Sequence, residues 1–384
     1  MSTTTNSTHD LDVLIVGGGI AGLSLAAELA GRCRVALVEA EPTLAYHTSS
    51  RSAQQLIPSF GPAPVQELTR RTLARLVAEG GYVADAGGPR LAWPSRFMLV
   101  GTPEDVDCES HGGMQALSPG QARALVPQLR PGAFEAAALD TESVRTDAPA
   151  LLAHHESRAR AAGAMISLGS PVHTAQRVGG GWLVGAGAEG FHATNVVNAA
   201  GAWADDVAVL FGVERLGLQP YRRTAALVSL AEPLDPDTPM VAAADGTWYF
   251  RPDEAGALVS PSEAEPSRAE DASPRPGDVE RTLERIARVV DLPVTGIVRA
   301  WTGLRTSCAD GLPVVGFDPE APGFFWLAGQ GGYGFQTSSA LAEDAAGQLL
   351  AGPEALRSGS YPVSKTDRAL DPHRLSVRSQ RIGG

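Results

Sequence analysis

Cysteine is scarce: Cys33, Cys108 and Cys308 are spread over 384 residues, an odd set with no C-x-x-C pair. That excludes a disulfide framework and a zinc site, predicts no metal, and fits a reducing cytoplasm. No stretch approaches the ~18 consecutive apolar residues of a membrane span, so no membrane span is expected. Residues 1–8 are rich in Ser, Thr and Asn, with no basic start and no apolar core, which predicts a disordered extension. Basic residues are in deficit, 31 Lys and Arg against 43 Asp and Glu, and the net charge of −12 is distributed along the chain. A nucleic-acid partner is therefore not expected. Biased composition is confined to the Ser/Pro/Glu-rich residues 260–276, which read as a mobile loop. What remains is 43% apolar and 19% charged, the make-up of a globular protein long enough for two interleaved domains.

The first informative segment is the apolar strand of residues 11–16, followed by Gly17-Gly18-Gly19-Ile20-Ala21-Gly22 and a helical run to Leu29. Gly17 permits a tight turn, Gly19 lets backbone approach a pyrophosphate, and Gly22 lets the helix lie close to the strand. Phosphates then face the free N–H groups of the helix start. A second strand, residues 34–38, ends on Glu39, about 20 residues on, where a carboxylate accepts ribose hydroxyls and disfavours a 2′-phosphate. FAD and NAD share this fingerprint. NAD enzymes continue with further βαβ units, whereas this chain follows Glu39 with a small, polar stretch, residues 46–54, suited to lying along a cofactor.

Further along, helices are expected over 62–81, 118–125 with Ser118 as N-cap, 146–162 and 279–289. Strands are expected at 97–100, 165–168, 224–230 and 247–250, with a hairpin around Gly179-Gly180-Gly181. The strand 196–203 ends in small residues, where backbone must pass close to something bulky.

Three separated pieces, the glycine fingerprint through Glu39, residues 196–205, and residues 301–334 with their G-x-R, D-G-x-P-x-x-G and glycine-rich turn, line up in order and spacing. Together they resemble the D-amino acid oxidase/glycine oxidase family of flavoproteins, most closely its D-arginine dehydrogenase-like branch. The resemblance implies an α/β protein: a Rossmann-like FAD-binding domain built from residues 9–60, 145–215 and 298–365. It also implies an α+β substrate domain with a mostly antiparallel sheet from 61–144 and 216–297, and tails at 1–8 and 366–384. By similarity Arg51, Ser52 and Ala53 lie along the flavin and Val172 meets the adenine. Ala200, Gly201, Trp203, Gly303, Arg305, Gly331, Gly332, Tyr333, Gly334 and Gln336 complete the implied cofactor contacts, the last group at a helix start beside the isoalloxazine.

Oxidising an amino acid requires its carboxylate to be held so that Cα–H faces the flavin, and the planar fork of Arg suits that task. The resemblance assigns it to Arg305, with Tyr249 as a hydroxyl donor and Arg223 as a second substrate-facing arginine. Strand alternation then turns Arg222 to the opposite face. Gly332 is expected to offer its carbonyl to the substrate amine. Where the arginine-selective branch has His, Tyr and Glu near the substrate, this chain has Gln55, Phe60 and Phe97, none of which is a base, so D-arginine is not the expected substrate. His47, His154, His155 and His173 read as surface or structural. Cys308 does not fall where covalent relatives carry their flavin link, so FAD is expected to bind non-covalently.

The expected activity is therefore FAD-dependent oxidation of an amino-acid-like small molecule at its CH–NH group, giving an imine that hydrolyses, with oxygen or another carrier as electron acceptor. Alternatives are an amine oxidase for substrates lacking a carboxylate, or the flavin subunit of a larger oxidase complex.

Overall fold

The computed structural model describes residues 8–79, 90–110 and 113–375. The expectations for residues 1–7, 80–81 and 376–384 lie outside them.

Two sheets dominate. In the first, Thr8–Val16 lies between the parallel strands Val35–Val38 and Glu189–Asn198, with Met165–Ser167 parallel at the outer edge. Glu189–Asn198 also pairs antiparallel with Gly181–Ala186 through its first half and parallel with Phe324–Ala328 through its last residues. Its central strands are apolar on both faces because both faces are covered. Leu23, Leu25 and Leu341 from the helices Ile20–Leu29 and Gly334–Ser358 pack with Ile15 and Leu37 on one side, and Leu14, Phe191 and Trp326 pack on the other.

Among the described residues the second sheet has nine strands, nearly all antiparallel. Its alternation separates two environments. Met98, Val100, Phe250 and Val259 face a core closed by the helix Asp278–Val289. Phe97, Leu99, Tyr249 and Ala225 face the other way. The mixed α/β class is as expected.

Three sequence expectations change. The strand Val294–Ser307 pairs with Gln219–Leu230 from Val294 to Ser307, so the boundary expected at 297/298 falls inside a strand of the second sheet. Residues 260–276 do not hang free: Glu263 accepts the Thr224 N–H at 2.5 Å, Arg222 reaches Glu270, and Arg51 reaches Asp271 and the Ala272 carbonyl. Residues 366–375 are not a tail, since Leu370 is buried and Arg374 donates to both carboxylate oxygens of Asp310. Among the described residues no helix is long and apolar enough to cross a membrane.

Candidate active site

The glycine turn is shaped by contact. Gly17 has φ +111°, and a β-carbon there would lie 2.5 Å from the Ala199 carbonyl oxygen; one at Gly19 would lie 3.2 Å from Ser49 Oγ. The helix that follows has no side-chain cap and no acid in its first turn, and the Ile20 N–H is met by Ser49 Oγ at 3.0 Å. Gly17, Gly19, Glu39, Val172, Ala200, Gly201 and Trp203 all line one cavity of about 390 Å³. Glu39 accepts the Gly18 N–H at 2.6 Å and the Glu41 N–H at 2.9 Å. These two bonds fix the carboxylate and leave lone pairs for further donors.

Thr48 and Ser49 line this cavity and also a second, of about 510 Å³, under the second sheet. The remaining expected residues meet there: Ile20, Arg51, Ser52, Ala53, Gln55, Phe60, Phe97, Arg223, Tyr249, Gly303, Arg305, Gly331 to Gly334 and Gln336 all line it. Ala21 and Gly22, expected beside the cofactor as part of the glycine fingerprint, line neither cavity. Ala21 packs against the core and Gly22 is buried in the helix, where its missing side chain allows the helix to approach Gly17.

Sheet register explains the arginines. Tyr221 pairs with Arg305 and Arg223 with Gly303, so Arg223 and Arg305 are diagonal neighbours on one face. Arg222 points to the opposite face, bonding Glu270 at 3.3 Å and the Ser273 carbonyl at 2.5 Å. The Arg305 guanidinium makes no hydrogen bond or ion pair among the described residues. Arg223 donates to Ser262 Oγ at 2.5 Å, while its Nε is buried with no partner. Burial, and then the charge of Arg305, bring its pKa down to about 10. Burial raises the Tyr333 phenol above its ordinary value, against the pull of Arg305.

The far wall is aromatic. Phe60 lies 6.1 Å from Phe97 and 6.0 Å from Tyr333, ring centre to ring centre. Gln55 donates to Ser95 Oγ at 3.2 Å and keeps a buried, unpartnered carbonyl oxygen. Cys308 lines neither cavity and is buried, which pushes its thiol up to about 11. His47 lines the first cavity, 4.4 Å from the Trp203 ring and 3.0 Å from Glu41. His154 and His155 lie away from both cavities.

Sequence reasoning missed Ser49, Ser262 and Glu109. Ser49 was within the polar stretch but had no motif of its own. Ser262 adopts φ +56°, a left-handed conformation uncommon for serine. Glu109 is the only acid lining the second cavity among the described residues and comes from a distant helix, Pro103–Glu109.

The glycine cradle, the uncapped helix start and the fixed Glu39 fit an FAD, whose nucleotide half they would hold; Gly331 to Gly334, at the uncapped start of Gly334–Ser358, fit its flavin half. Comparison with known proteins agrees. The chain is 29% identical over 338 residues to a glycine oxidase of Geobacillus kaustophilus, covering 84% of this chain and 88% of that one. It is 26% identical to human mitochondrial dimethylglycine dehydrogenase, of whose length it spans 40%. The crystal structure of glycine oxidase from Geobacillus kaustophilus superposes with a TM-score of 0.78 at 27% identity over 89% of this chain and 95% of that one. That of L-proline dehydrogenase from P. horikoshii does so at 0.80 and 19% identity over 96% and 99%, which speaks to fold alone. None of these relatives is of the finer D-arginine dehydrogenase-like branch. Residues 12–348 match the DAO model of FAD dependent oxidoreductases, and the chain belongs to that family.

Proposed function

We propose that this protein oxidises an amino acid or N-substituted amino acid at the carbon bearing the amine. The observation that carries this reading is the Arg305 guanidinium, partnerless among the described residues and lining a cavity that shares Thr48 and Ser49 with the nucleotide cradle. A half-buried guanidinium with free donors calls for a planar anion, and a substrate carboxylate supplies it. Tyr249, buried on the same face, adds a hydroxyl donor. Phe60, Phe97 and Tyr333 exclude water from the opposite wall, which strengthens the charge-assisted bonds and fixes the orientation of the substrate. FAD, when bound, would supply the acceptor for the hydride leaving that carbon, and water would hydrolyse the resulting imine to a keto acid or aldehyde plus an amine. The electrons pass on to oxygen or another carrier.

The names of the relatives, glycine oxidase and dimethylglycine dehydrogenase, support this substrate class. A simple amine without a carboxylate leaves the Arg305 guanidinium without an anion, so that reading is the weaker. The three unpaired cysteines support a cytoplasmic location. The test is an anaerobic screen of D-, L- and N-alkyl amino acids for bleaching of the flavin absorbance, followed by exposure to air. Bleaching by amino acids is expected; bleaching by simple amines alone overturns the proposal.

A further inference from the structure

The reading above uses one cavity arginine, and the cavity contains a second whose charge has no comparable use. Arg223 is not a duplicate of Arg305. Their guanidiniums are anchored at different places: a β-carbon on Gly332 would lie 3.1 Å from Arg305 Nη1, whereas Arg223 Nη1 is held by Ser262 Oγ at 2.5 Å. Arg305 thus sits against the glycine turn at the start of the helix Gly334–Ser358, and Arg223 against the segment that follows the strand Gly256–Ser260.

Neither charge is neutralised by an ion pair among the described residues. Glu263 is the acid closest in sequence to the Arg223 anchor and its field falls on Arg223, but it makes no ion pair with it, one of its oxygens is bonded to the Thr224 N–H at 2.5 Å, and it does not line the cavity. Glu109 does line it, and its field falls on Tyr333. Arg51 is already paired with Asp271 at 2.5 Å. A substrate with a single carboxylate placed on Arg305 leaves Arg223 half-buried, repelled by its neighbour and with Nε buried and unbonded. Two like charges on one sheet face are costly unless an anion lies between or beside them. Ser262 supports the same point. Its left-handed backbone is the kind of strain that persists where the surrounding structure enforces it, and what it achieves is to aim a hydroxyl at Arg223.

We infer that Arg223, presented by Ser262, forms a subsite for a second anionic group, so that the substrate is a dianion: an amino acid with an additional carboxylate on its side chain or on its N-substituent. This rests on the function proposed above and narrows it.

The test compares diacids with their monoamides, which keep the shape and remove one charge. N-(carboxymethyl)glycine is set against N-(carbamoylmethyl)glycine for the N-substituent, and aspartate and glutamate, in both enantiomers, against asparagine and glutamine for the side chain. Wild-type holoenzyme is expected to favour the diacid in kcat/KM by at least about 30-fold in one of the two series, and that series identifies where the second carboxylate resides. In Arg223→Met the diacid-over-amide ratio falls toward one, and Arg223→Lys recovers part of it. A wild-type ratio near one overturns the proposal, as does a ratio unmoved by Arg223→Met, which would mean that both arginines share one carboxylate. A second measurement needs neither turnover nor a variant: the thermal midpoint of wild-type holoenzyme with malonate or succinate against acetate or propionate at constant ionic strength. A larger rise with the dicarboxylates is expected, and equal rises overturn the subsite. If no amino acid bleaches the flavin, the proposed function fails while this binding comparison still decides the subsite.

Discussion

The guanidinium of Arg305 lies against the backbone of Gly332, so closely that a β-carbon added there would be 3.1 Å from Nη1 and 3.3 Å from Cζ. Gly332 therefore sets the position of Arg305. Gly332→Ala requires the guanidinium to give way by a few tenths of an ångström, which a flexible side chain does at little cost in stability. The expected result is a kcat/KM lowered about 10-fold or more, carried mostly by KM, with FAD content unchanged and a thermal midpoint within about 2 °C of wild type. Unchanged KM would show that the glycine is needed for the turn alone.

Arg305→Leu removes the fork itself. An unpaired substrate carboxylate in a desolvated cavity costs about 2–5 kcal/mol, or roughly 30- to 4,000-fold in kcat/KM. FAD should remain bound, because Gly17, Gly19 and Glu39 lie in the other cavity. Arg305→Lys restores only part of the loss, since a point charge does not reproduce bidentate geometry. Near-normal kinetics in Arg305→Leu would sink the carboxylate assignment.

Much of this site was legible because it is written in local rules. Gly17, Gly19 and Gly22 announce a strand, a turn and a helix, and Glu39 follows at the end of the next strand. Alternation along one strand was enough to separate Arg222 from Arg223. What was not legible depends on pairs remote in sequence. Arg51 and Asp271 are 220 residues apart, so the acidic residues 260–276 read as a loose loop when they are an ion-paired strap. Arg374 and Asp310 are 64 apart, and a segment with no strong pattern read as a tail. Glu109 enters the cavity through the placement of a short helix, which no spacing announces.

Arg374 gives the third prediction. It donates to Asp310 and to the carbonyls of Leu312, Pro313 and Leu370, thereby fixing the turn that follows the strand of Arg305. Arg374→Met leaves the Asp310 carboxylate without this partner, and hydrogen bonds to charged groups contribute about 1.5–3 kcal/mol. A loss of about 2 kcal/mol or more in urea unfolding of the holoprotein is expected. A loss under about 0.5 kcal/mol would show that the segment is ornamental.

Acid should destabilise the fold in two stages. His155 is 1% exposed, both ring nitrogens lack partners, and burial first, then the charges of His154 and Arg158, depress its pKa to about 3. The folded state keeps it neutral, so its contribution is fully present above the unfolded value of about 6.5 and is lost as pH falls toward 3, a penalty on the order of a few kcal/mol. Glu79, bonded to His154 and near Arg158 and Arg75, is lowered to about 2, so its contribution is lost between about 4.5 and 2. His155→Leu should flatten the dependence of stability on pH between about 6.5 and 4.5 while leaving the lower stage intact. Parallel wild-type and variant curves from urea unfolding at pH 7, 6 and 5 would refute the assignment.

The last prediction concerns the substrate's far end. Phe97 is 2% exposed and lines the cavity, while its neighbour Met98 is turned into the core on the other face of the sheet. With Phe60 and Tyr333 it makes a wall that offers apolar surface, worth about 25 cal/mol per Å2 buried, and no anion. A guanidinium or ammonium placed there loses water without an ion pair in return, and also meets the field of Arg223 and Arg305. Ring attraction offsets only about 0.5–2 kcal/mol of that. Glu109 is the one acid on the lining among the described residues, but it is half-buried and screened by water, so it does not reverse the preference. Cationic side chains and N-substituents should therefore be disfavoured against uncharged ones of similar length, whether or not an anionic group is favoured further by Arg223. Phe97→Glu should move the ratio of kcat/KM toward the cationic substrate by about 10- to 100-fold, the return on one charge-assisted bond of roughly 1.5–3 kcal/mol. The comparison is a Lys- or Arg-like substrate against a Leu- or Met-like one, in wild type and variant. A wild-type preference for the cation, or a ratio that the substitution leaves in place, would show that Phe97 is not where the substrate's far end lies.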